Sequence, residues 1–263
     1  MHPLLLQIGF LKLHTYGLMI VIGFLLGLSL IYSQGKKEGL NPDRIVDISF
    51  WGLGLGLLGG RIVYILTRLD YFSQRPLEIF YFWEGGLVFY GGFLGGVFAF
   101  WYFSKKYKLP MLKTMDMAVP SLAIAHMWGR FGCFFAGCCF GKPAPGVPWA
   151  VTFRDPLSLA PPGIPLHPTQ LYDALNAFII FCVTMYLRNR KKFTGQLLVV
   201  YMMLYSVGRS IVEIYRGDSI RGFVIEPYLS TSQFISIFIF LGALYLWFYW
   251  GKKYPISTNV KNR

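Results

Sequence analysis

Charged side chains are scarce in this chain, and acidic ones are scarcer still. Charged residues make up 14% of the 263 residues, with 12 acidic against 25 basic side chains. A soluble globular domain carries about 25% charged residues. Hydrophobic residues instead reach 55%, and they form runs of roughly 20 residues, the length that crosses a hydrocarbon layer ~30 Å thick. The composition therefore excludes an ordinary soluble domain and predicts an all-α polytopic membrane protein.

Cysteine is also rare, with only four residues: Cys133, Cys138, Cys139 and Cys182. This number and spacing exclude the disulfide framework of a small secreted fold. The first apolar run lacks a basic leading region and continues into a loop that contains lysine. We therefore expect a retained membrane helix there, and not a cleaved signal peptide.

Seven apolar segments of helical length predict about seven transmembrane helices. They cover residues 13–32, 46–66, 87–103, 117–135, 171–187, 197–212 and 233–250. We expect one integral membrane domain over residues 1–263, with an outward-facing loop at about 137–169 that is rich in proline and glycine. A loop of this length is usually functional or disordered.

The basic residues, which give a net charge of +13, are spread over four short segments between the apolar runs: 33–45, 104–116, 188–194 and 251–263. This alternation is typical of cytoplasmic loops, which are rich in lysine and arginine. It favours an N-terminus outside and a C-terminus in the cytoplasm. Because the charges form no single patch, we expect no nucleic-acid partner.

Three arginines fall inside predicted spans, where each costs at least ~2.5 kcal/mol on insertion. They are Arg61, Arg130 and Arg209. Glu213 and Arg216 follow Arg209 at helical spacing and share its face. Arginines without equal numbers of buried acids imply an anion, and a guanidinium fork suits phosphate. The pattern predicts a phospholipid headgroup site, although snorkelling to the interface could explain a single arginine.

Glycines recur in the second and third spans. Gly52, Gly56 and Gly60 are four residues apart and share one helix face, which favours close packing against another helix. Gly91 and Gly92 of the third span have the same packing interpretation, but they could instead bring the backbone close to a ligand headgroup.

Six sequence blocks, in this order, resemble the prolipoprotein diacylglyceryl transferase family. They are HTYGLM at 14–19, GGRIVYIL at 59–66, GGLVFYGGFLGG at 85–96, GRFGCFFAGCCFG at 129–141, HPTQLYDA at 167–174 and YSVGRSIVEIYRGD at 205–218. The resemblance implies seven membrane helices and transfer of diacylglyceryl from phosphatidylglycerol to the lipobox cysteine thiol of a preprolipoprotein signal peptide. It also implies a bacterial inner membrane location, and membrane lipids as further partners.

The resemblance maps essential arginines onto Arg130 and Arg209, and a helix-one tyrosine onto Tyr16. The sequence departs from the family pattern at four positions. Where the family usually has Asn, Asn and Glu after the fourth-helix arginine, this chain has Cys133, Ala136 and Cys138. Where it usually has His before Gly-Gly, this chain has Tyr90.

The candidate site combines both lines of argument. Catalytic candidates are Arg130 and Arg209, which would stabilise the leaving phosphate, with Tyr90 and His167 as groups that orient the headgroup or accept the thiol proton. Candidate substrate-binding residues are Tyr16, His14, Arg61, Gly91, Gly92, Glu213 and Arg216. We expect Arg61 to support the site, through Glu84 or Asp70.

No metal and no cofactor are expected, since the C-x4-C-C spacing matches no common structural zinc pattern. Packing is the favoured role for Cys133, Cys138 and Cys139, and a disulfide stays open. Two other functions also stay open. One is a related transferase with the same donor and another acceptor. The other is a lipid transporter or channel, which would predict inverted repeats or broken helix pairs.

Overall fold

The computed structural model of the chain describes residues 2–8, 11–81, 85–218 and 222–256. Eight α-helices occur in these ranges: α1 Thr15–Lys37, α2 Pro42–Leu66, α3 Leu69–Gln74, α4 Phe89–Lys106, α5 Met111–Ala136, α6 Thr169–Arg188, α7 Gln196–Tyr215 and α8 Thr231–Lys253. A 3₁₀ helix, Pro76–Phe80, follows α3. Each of the seven predicted spans coincides with one of the seven long helices.

Five of the long helices, α1, α2, α6, α7 and α8, are long and apolar enough to cross a membrane. The all-α polytopic architecture expected from the composition is confirmed. The other two long helices, α4 and α5, are less apolar over the length of a membrane span. Helix α4 has 18 residues that include Lys105 and Lys106, and α5 contains His126 and Arg130.

Three short antiparallel hairpins lie outside the helices: β1 Leu4–Ile8 with β2 Leu11–His14, β3 Val151–Thr152 with β4 Pro165–Leu166, and β5 Phe223–Ile225 with β6 Leu229–Ser230. The first predicted span began at residue 13, but Leu13 and His14 belong to β2. The helix begins at Thr15, because the preceding residues pair with β1.

Local sequence signals set several helix ends. Asn41 accepts hydrogen bonds from the backbone of Asp43 and Arg44 at the start of α2, next to Pro42 in the first turn, an arrangement that stabilises helix starts. Ser230 and Gln233 form a capping box at the start of α8. Lysines in the last turns of α1, α4 and α8 interact favourably with the helix dipole.

The chain divides into two compact units, a larger one of residues 1–30 and 115–263 and a smaller one of residues 31–114. In the smaller unit, glycines bring α2 and α4 into backbone contact. A Cβ on Gly59 would clash with the Gly91 carbonyl, and one on Gly95 would clash with the Leu55 carbonyl. Close packing is confirmed, but its tightest point on α2 is Gly59, and a Cβ on Gly52 would meet nothing within 4 Å.

In the larger unit, α1 packs on α5 and α7 packs between α6 and α8. A Cβ on Gly23 of α1 would lie 2.8 Å from the Cβ of Trp128 on α5. At the beginning of α5, the buried carboxylate of Asp116 accepts backbone hydrogen bonds from Gly195 at 2.8 Å and Leu197 at 2.9 Å. Asp116 therefore caps the N-terminus of α7 from a neighbouring helix, where a negative charge is favourable.

Two basic segments meet at this end of the larger unit. Lys191 lies 3.6 Å from the Asp116 carboxylate, and Thr194 donates a backbone hydrogen bond to Tyr254. The end of α5, the start of α6 and the end of α7 meet elsewhere in the unit, through residues 137–168. The grouping agrees with the alternation of basic and non-basic connections along the chain.

Gly59→Ala should destabilise the protein although alanine favours helices. The methyl group clashes with the Gly91 carbonyl, and overpacking typically costs about 1–3 kcal/mol. Gly54→Ala on the same helix is the matched control, since its Cβ meets nothing within 4 Å, and it should be neutral or stabilising by up to ~1 kcal/mol. Thermal unfolding in detergent measures both, and equal midpoints would contradict the packing assignment.

Candidate functional site

A buried carboxylate from α6 lies between arginines of α5 and α7. Oδ2 of Asp173 is 3.1 Å from Nη1 of Arg130 and 3.5 Å from Nη1 of Arg209. Asp173 is 3% exposed and Arg209 is 7% exposed. The two arginines that the sequence predicted as catalytic are therefore brought together, by an acid shared between them.

Arg209 has a second acidic partner one turn along its own helix. Its Nη2 lies 2.7 Å from Oε2 of the buried Glu213 and donates a hydrogen bond of 3.1 Å to the hydroxyl of Ser232 on α8. The shared face expected for Arg209, Glu213 and Arg216 is present, because Arg216 Nη1 lies 3.9 Å from the same Glu213 oxygen.

Arg216 follows the last residue of α7 and forms a two-point pair with Asp218. Its Nε and Nη2 donate hydrogen bonds of 2.6 Å and 2.9 Å to the two carboxylate oxygens. Burial lowers the pKa of Arg216, but the hydrogen bonds to Asp218 and the negative charges of Asp218 and Glu213 together outweigh it and hold the pKa above its ordinary value. The guanidinium is therefore a permanent positive charge.

The sequence predicted that the arginines outnumber the buried acids near them, and this prediction is wrong for this cluster. Asp173, Glu213 and Asp218 match Arg130, Arg209 and Arg216 in number and lie beside them. Asp173 was missed although it stands inside the HPTQLYDA block, since helix rotation decides whether a span carboxylate faces another helix. Its second oxygen, Oδ1, is buried and has no hydrogen-bond partner among the described residues.

A histidine orients Arg130 from one turn earlier on α5. Arg130 Nε donates a hydrogen bond of 3.1 Å to Nε2 of His126, so His126 accepts and carries its proton on the other nitrogen. The ring of Tyr205 lies 5.7 Å from the His126 ring, centroid to centroid. This contact shows that the face of α7 that carries Arg209 also packs against α5.

His167 lies in an aromatic cluster before α6. Its Nδ1 is 3.0 Å from the Tyr172 hydroxyl, which also accepts a 2.7 Å hydrogen bond from the Trp149 indole. The Tyr215 ring centroid is 5.1 Å from that of His167. The His167 carbonyl accepts from the backbone of Gly141, and Gly141 bridges to Arg216. The segment around Gly141 therefore connects His167 to Arg216 through backbone contacts.

Helix α5 ends in a Schellman turn that carries the cysteines. Gly137 has φ +74° and donates to the Phe134 carbonyl, while Cys138 donates to the Cys133 carbonyl. This pair of bonds is the defining pattern of the motif and places its first and last side chains together. The sulphur atoms of Cys133, Cys138 and Cys139 all lie within 4.8 Å of one another.

Tyr16 and His14 lie at the start of α1, in the larger unit. The Tyr16 ring packs on Gly132 of α5, where a Cβ would lie 2.9 Å from a ring carbon. Tyr16 therefore lies beside the helix turn that joins Arg130 to Cys133. His14 pairs with Leu4 in the terminal hairpin and is exposed. Substrate binding by either residue stays a prediction.

Arg61, in the smaller unit, binds main-chain carbonyls. Its guanidinium donates to Ile79 at 3.0 Å, Gly85 at 2.7 Å and Glu78 at 2.6 Å, and it is 4% exposed. Through these hydrogen bonds, Arg61 stabilises the segment that connects α2 to α4. Substrate binding by Arg61 stays a prediction. Glu84 lies outside the described residues.

Tyr90, Gly91 and Gly92 lie in the first turn of α4. Tyr90 is 58% exposed, so its ring is free to contact a lipid. Gly91 and Gly92 face the backbone of α2 at Gly59 and Gly56. This contact agrees with the packing interpretation, and substrate binding by these glycines stays a prediction.

The fold and the cluster define a multi-pass membrane protein with paired, buried arginines and carboxylates at the ends of its helices. The sequence profile described as prolipoprotein diacylglyceryl transferase matches residues 3–249. The chain belongs to the prolipoprotein diacylglyceryl transferase family, as the six blocks predicted.

Curated relatives cover nearly the whole chain. Phosphatidylglycerol–prolipoprotein diacylglyceryl transferase of Clostridium tetani is 39% identical over 247 residues, 94% of this chain and 96% of that protein. Transferase 2 of Clostridium perfringens is 38% identical over 237 residues, 90% of this chain and 91% of that protein. The Acinetobacter baumannii transferase is 30% identical over 259 residues, 95% and 93% respectively.

Asp173→Asn should destabilise the protein strongly. The amide keeps the shape but leaves Arg130 and Arg209 without their shared anion, and breaking a buried ion pair costs about 3–5 kcal/mol. Asp155→Asn is the control, because that loop carboxylate faces His2, whose side chain is 84% exposed. Thermal unfolding in detergent measures both variants. An Asp173→Asn midpoint equal to that of wild type would show that the pairing contributes nothing.

Proposed function

We propose that the chain transfers the diacylglyceryl group of phosphatidylglycerol to the lipobox cysteine thiol of preprolipoproteins. The single observation that carries the proposal is the pair Arg130–Arg209, fixed by Asp173 at 3.1 and 3.5 Å. The family membership and the activity for which the relatives are named support the reaction. A transferase then takes precedence over a transporter or channel.

The reaction breaks the bond between a diacylglyceryl carbon and a phosphate oxygen and forms a carbon–sulphur bond. Glycerol phosphate leaves with the electron pair of the broken bond, and the thiol proton passes to a base. Negative charge grows on the leaving phosphate, so fixed positive charge beside it lowers the barrier. Arg130 and Arg209 supply that charge in the proposed mechanism.

The acids restrict the arginines without exhausting them. A guanidinium has five N–H donors in a planar fork, and Asp173, Glu213, Ser232 and His126 use only some of those on Arg130 and Arg209. The remaining donors can bind the phosphate oxygens. Oδ1 of Asp173 has no hydrogen-bond partner among the described residues. It could accept a hydrogen bond from a hydroxyl group of the glycerol headgroup.

The thiol proton has two candidate acceptors. His167 is a hydrogen-bond partner of Tyr172 at 3.0 Å, and Tyr90 is exposed at the start of α4. We favour His167, because a neutral imidazole has a ring nitrogen that can accept a proton, whereas a phenol near neutral pH still carries its own proton. Tyr16, His14 and Arg216 are the further substrate contacts that we propose in the larger unit, and Tyr90 is a separate proposed lipid contact of the smaller unit.

One observation keeps a second acceptor class in view. Cys133, Ala136, Cys138 and Tyr90 replace the Asn, Asn, Glu and His of the usual family pattern. A transferase with the same donor and another acceptor would keep the arginines and change these positions.

We place the protein in the bacterial inner membrane with its N-terminus outside and its C-terminus in the cytoplasm.

Arg130→Lys and Arg209→Lys should each lower transfer at least tenfold while the protein stays inserted. An ammonium keeps the charge but cannot make the planar two-point contact with phosphate. A gel-shift assay with phosphatidylglycerol vesicles and a lipobox peptide measures transfer, and Arg154→Lys, at an exposed loop position, is the control. Full activity of either buried lysine variant would show that charge alone suffices. A wild-type enzyme that leaves the lipobox peptide unmodified would favour the other acceptor class.

Reporter fusions at the C-terminus and in the loop between α5 and α6 should report opposite compartments. A fusion after Arg263 should report the cytoplasm, and one within residues 143–165 should report the outside, because lysine and arginine concentrate in the alternate connections. Matching compartments for the two fusions would overturn the orientation.

A further inference from the structure

The three cysteines at the end of α5 lie about as close together as metal ligands do, although their spacing along the sequence matches no common metal motif. The sulphur atoms of Cys133, Cys138 and Cys139 lie within 4.8 Å of one another. Zinc–sulphur bonds of about 2.3 Å in a tetrahedral site put bound sulphurs about 3.8 Å apart. The described geometry therefore needs shifts of an ångström or less to close around one ion.

The backbone holds these side chains in place before any ligand binds. The Schellman turn fixes Cys133 and Cys138, and Cys139 adopts φ +57°, a conformation that is uncommon outside glycine and concentrates at functional sites. From α6, Thr169 donates to the Cys139 carbonyl at 2.6 Å and Gln170 to the Cys138 carbonyl at 2.7 Å. A preformed ligand set of this kind lowers the entropic cost of binding.

The surrounding charge suits thiolates. Arg130 lies one helical turn before Cys133 on α5, and Arg216 bridges to Gly141, two residues after Cys139. Three thiolates around a divalent ion leave one net negative charge next to these guanidinium groups. All three cysteines are partly exposed, so an ion can reach them.

We propose that Cys133, Cys138 and Cys139 form a three-thiolate site for a thiophilic ion of the zinc class. Sulphur-only ligands select soft and borderline metals over magnesium or calcium, and binding releases the thiol protons to solvent. Three protein ligands leave the fourth position of a tetrahedral ion open. The proposal departs from the expectation of no metal, which rested on sequence spacing alone.

Cobalt(II) titration of the detergent-purified, chelator-stripped and anaerobically reduced protein tests the site. One equivalent should produce a sulphur-to-cobalt charge-transfer band and the intense visible bands of tetrahedral cobalt, and one equivalent of zinc should remove them. Each single Cys→Ser variant should weaken binding at least tenfold, and the triple variant should show no bands. Cys182→Ser, at an exposed position of α6, is the matched control and should match wild type.

A wild-type measurement keeps the test decisive if the variants fold poorly. With one equivalent of cadmium bound, maleimide followed by peptide mass mapping should label Cys182 and spare the other three cysteines. Bands that are absent from the reduced wild type, bands that persist in the triple variant, or equal labelling of all four thiols would each overturn the site. Transfer activity is assayed separately. A failure of the proposed function therefore leaves the metal-binding result unchanged, and a failure to bind metal leaves the transfer result unchanged.

Discussion

A single buried carboxylate shared by two guanidinium groups is the interaction on which the larger unit depends. Asp173 joins α6 to Arg130 on α5 and to Arg209 on α7. Without an anion, two arginines at this depth would each carry the insertion cost of a charged residue and would also repel one another. One acid lowers both penalties and links three helices at fixed rotations. Glu213, Ser232 and His126 then complete the orientation of the guanidinium groups.

Close passage of backbone segments brings the other chemical groups to the same place. A Cβ on Gly141 would lie 2.5 Å from the His167 carbonyl, and one on Gly217 would lie 2.5 Å from the Gly141 carbonyl. Only glycine permits contacts this short, so residues 137–142 can run between the start of α6 and the end of α7. The cysteine turn, His167 and Arg216 are neighbours for this reason, although they are far apart in sequence.

Hydropathy and charge alternation were sufficient to predict the long helices, because each span follows from its own residues. The sequence also predicted that Arg130 and Arg209 belong to one polar site, since arginines are expensive inside an apolar layer, and the structure brings them together around Asp173. The sequence did not predict Asp173, because a carboxylate in a helix is recognised as a partner only when the rotation of both helices is known. It did not predict the particular contacts of Arg61, Gly91 and Gly92 for a similar reason. Their partners are main-chain atoms of other segments, and a sequence pattern carries no record of those.

The replacement of the family's glutamate by Cys138 can be understood as a question of charge. The three arginines of the cluster are already matched by Asp173, Glu213 and Asp218, so the change leaves no guanidinium without an anion. The cluster is then one negative charge short of the usual pattern. Three thiolates around a divalent ion carry one net negative charge, the same as the missing carboxylate. The loss of the acid and the gain of two cysteines around it are therefore electrostatically consistent with the proposed three-thiolate site.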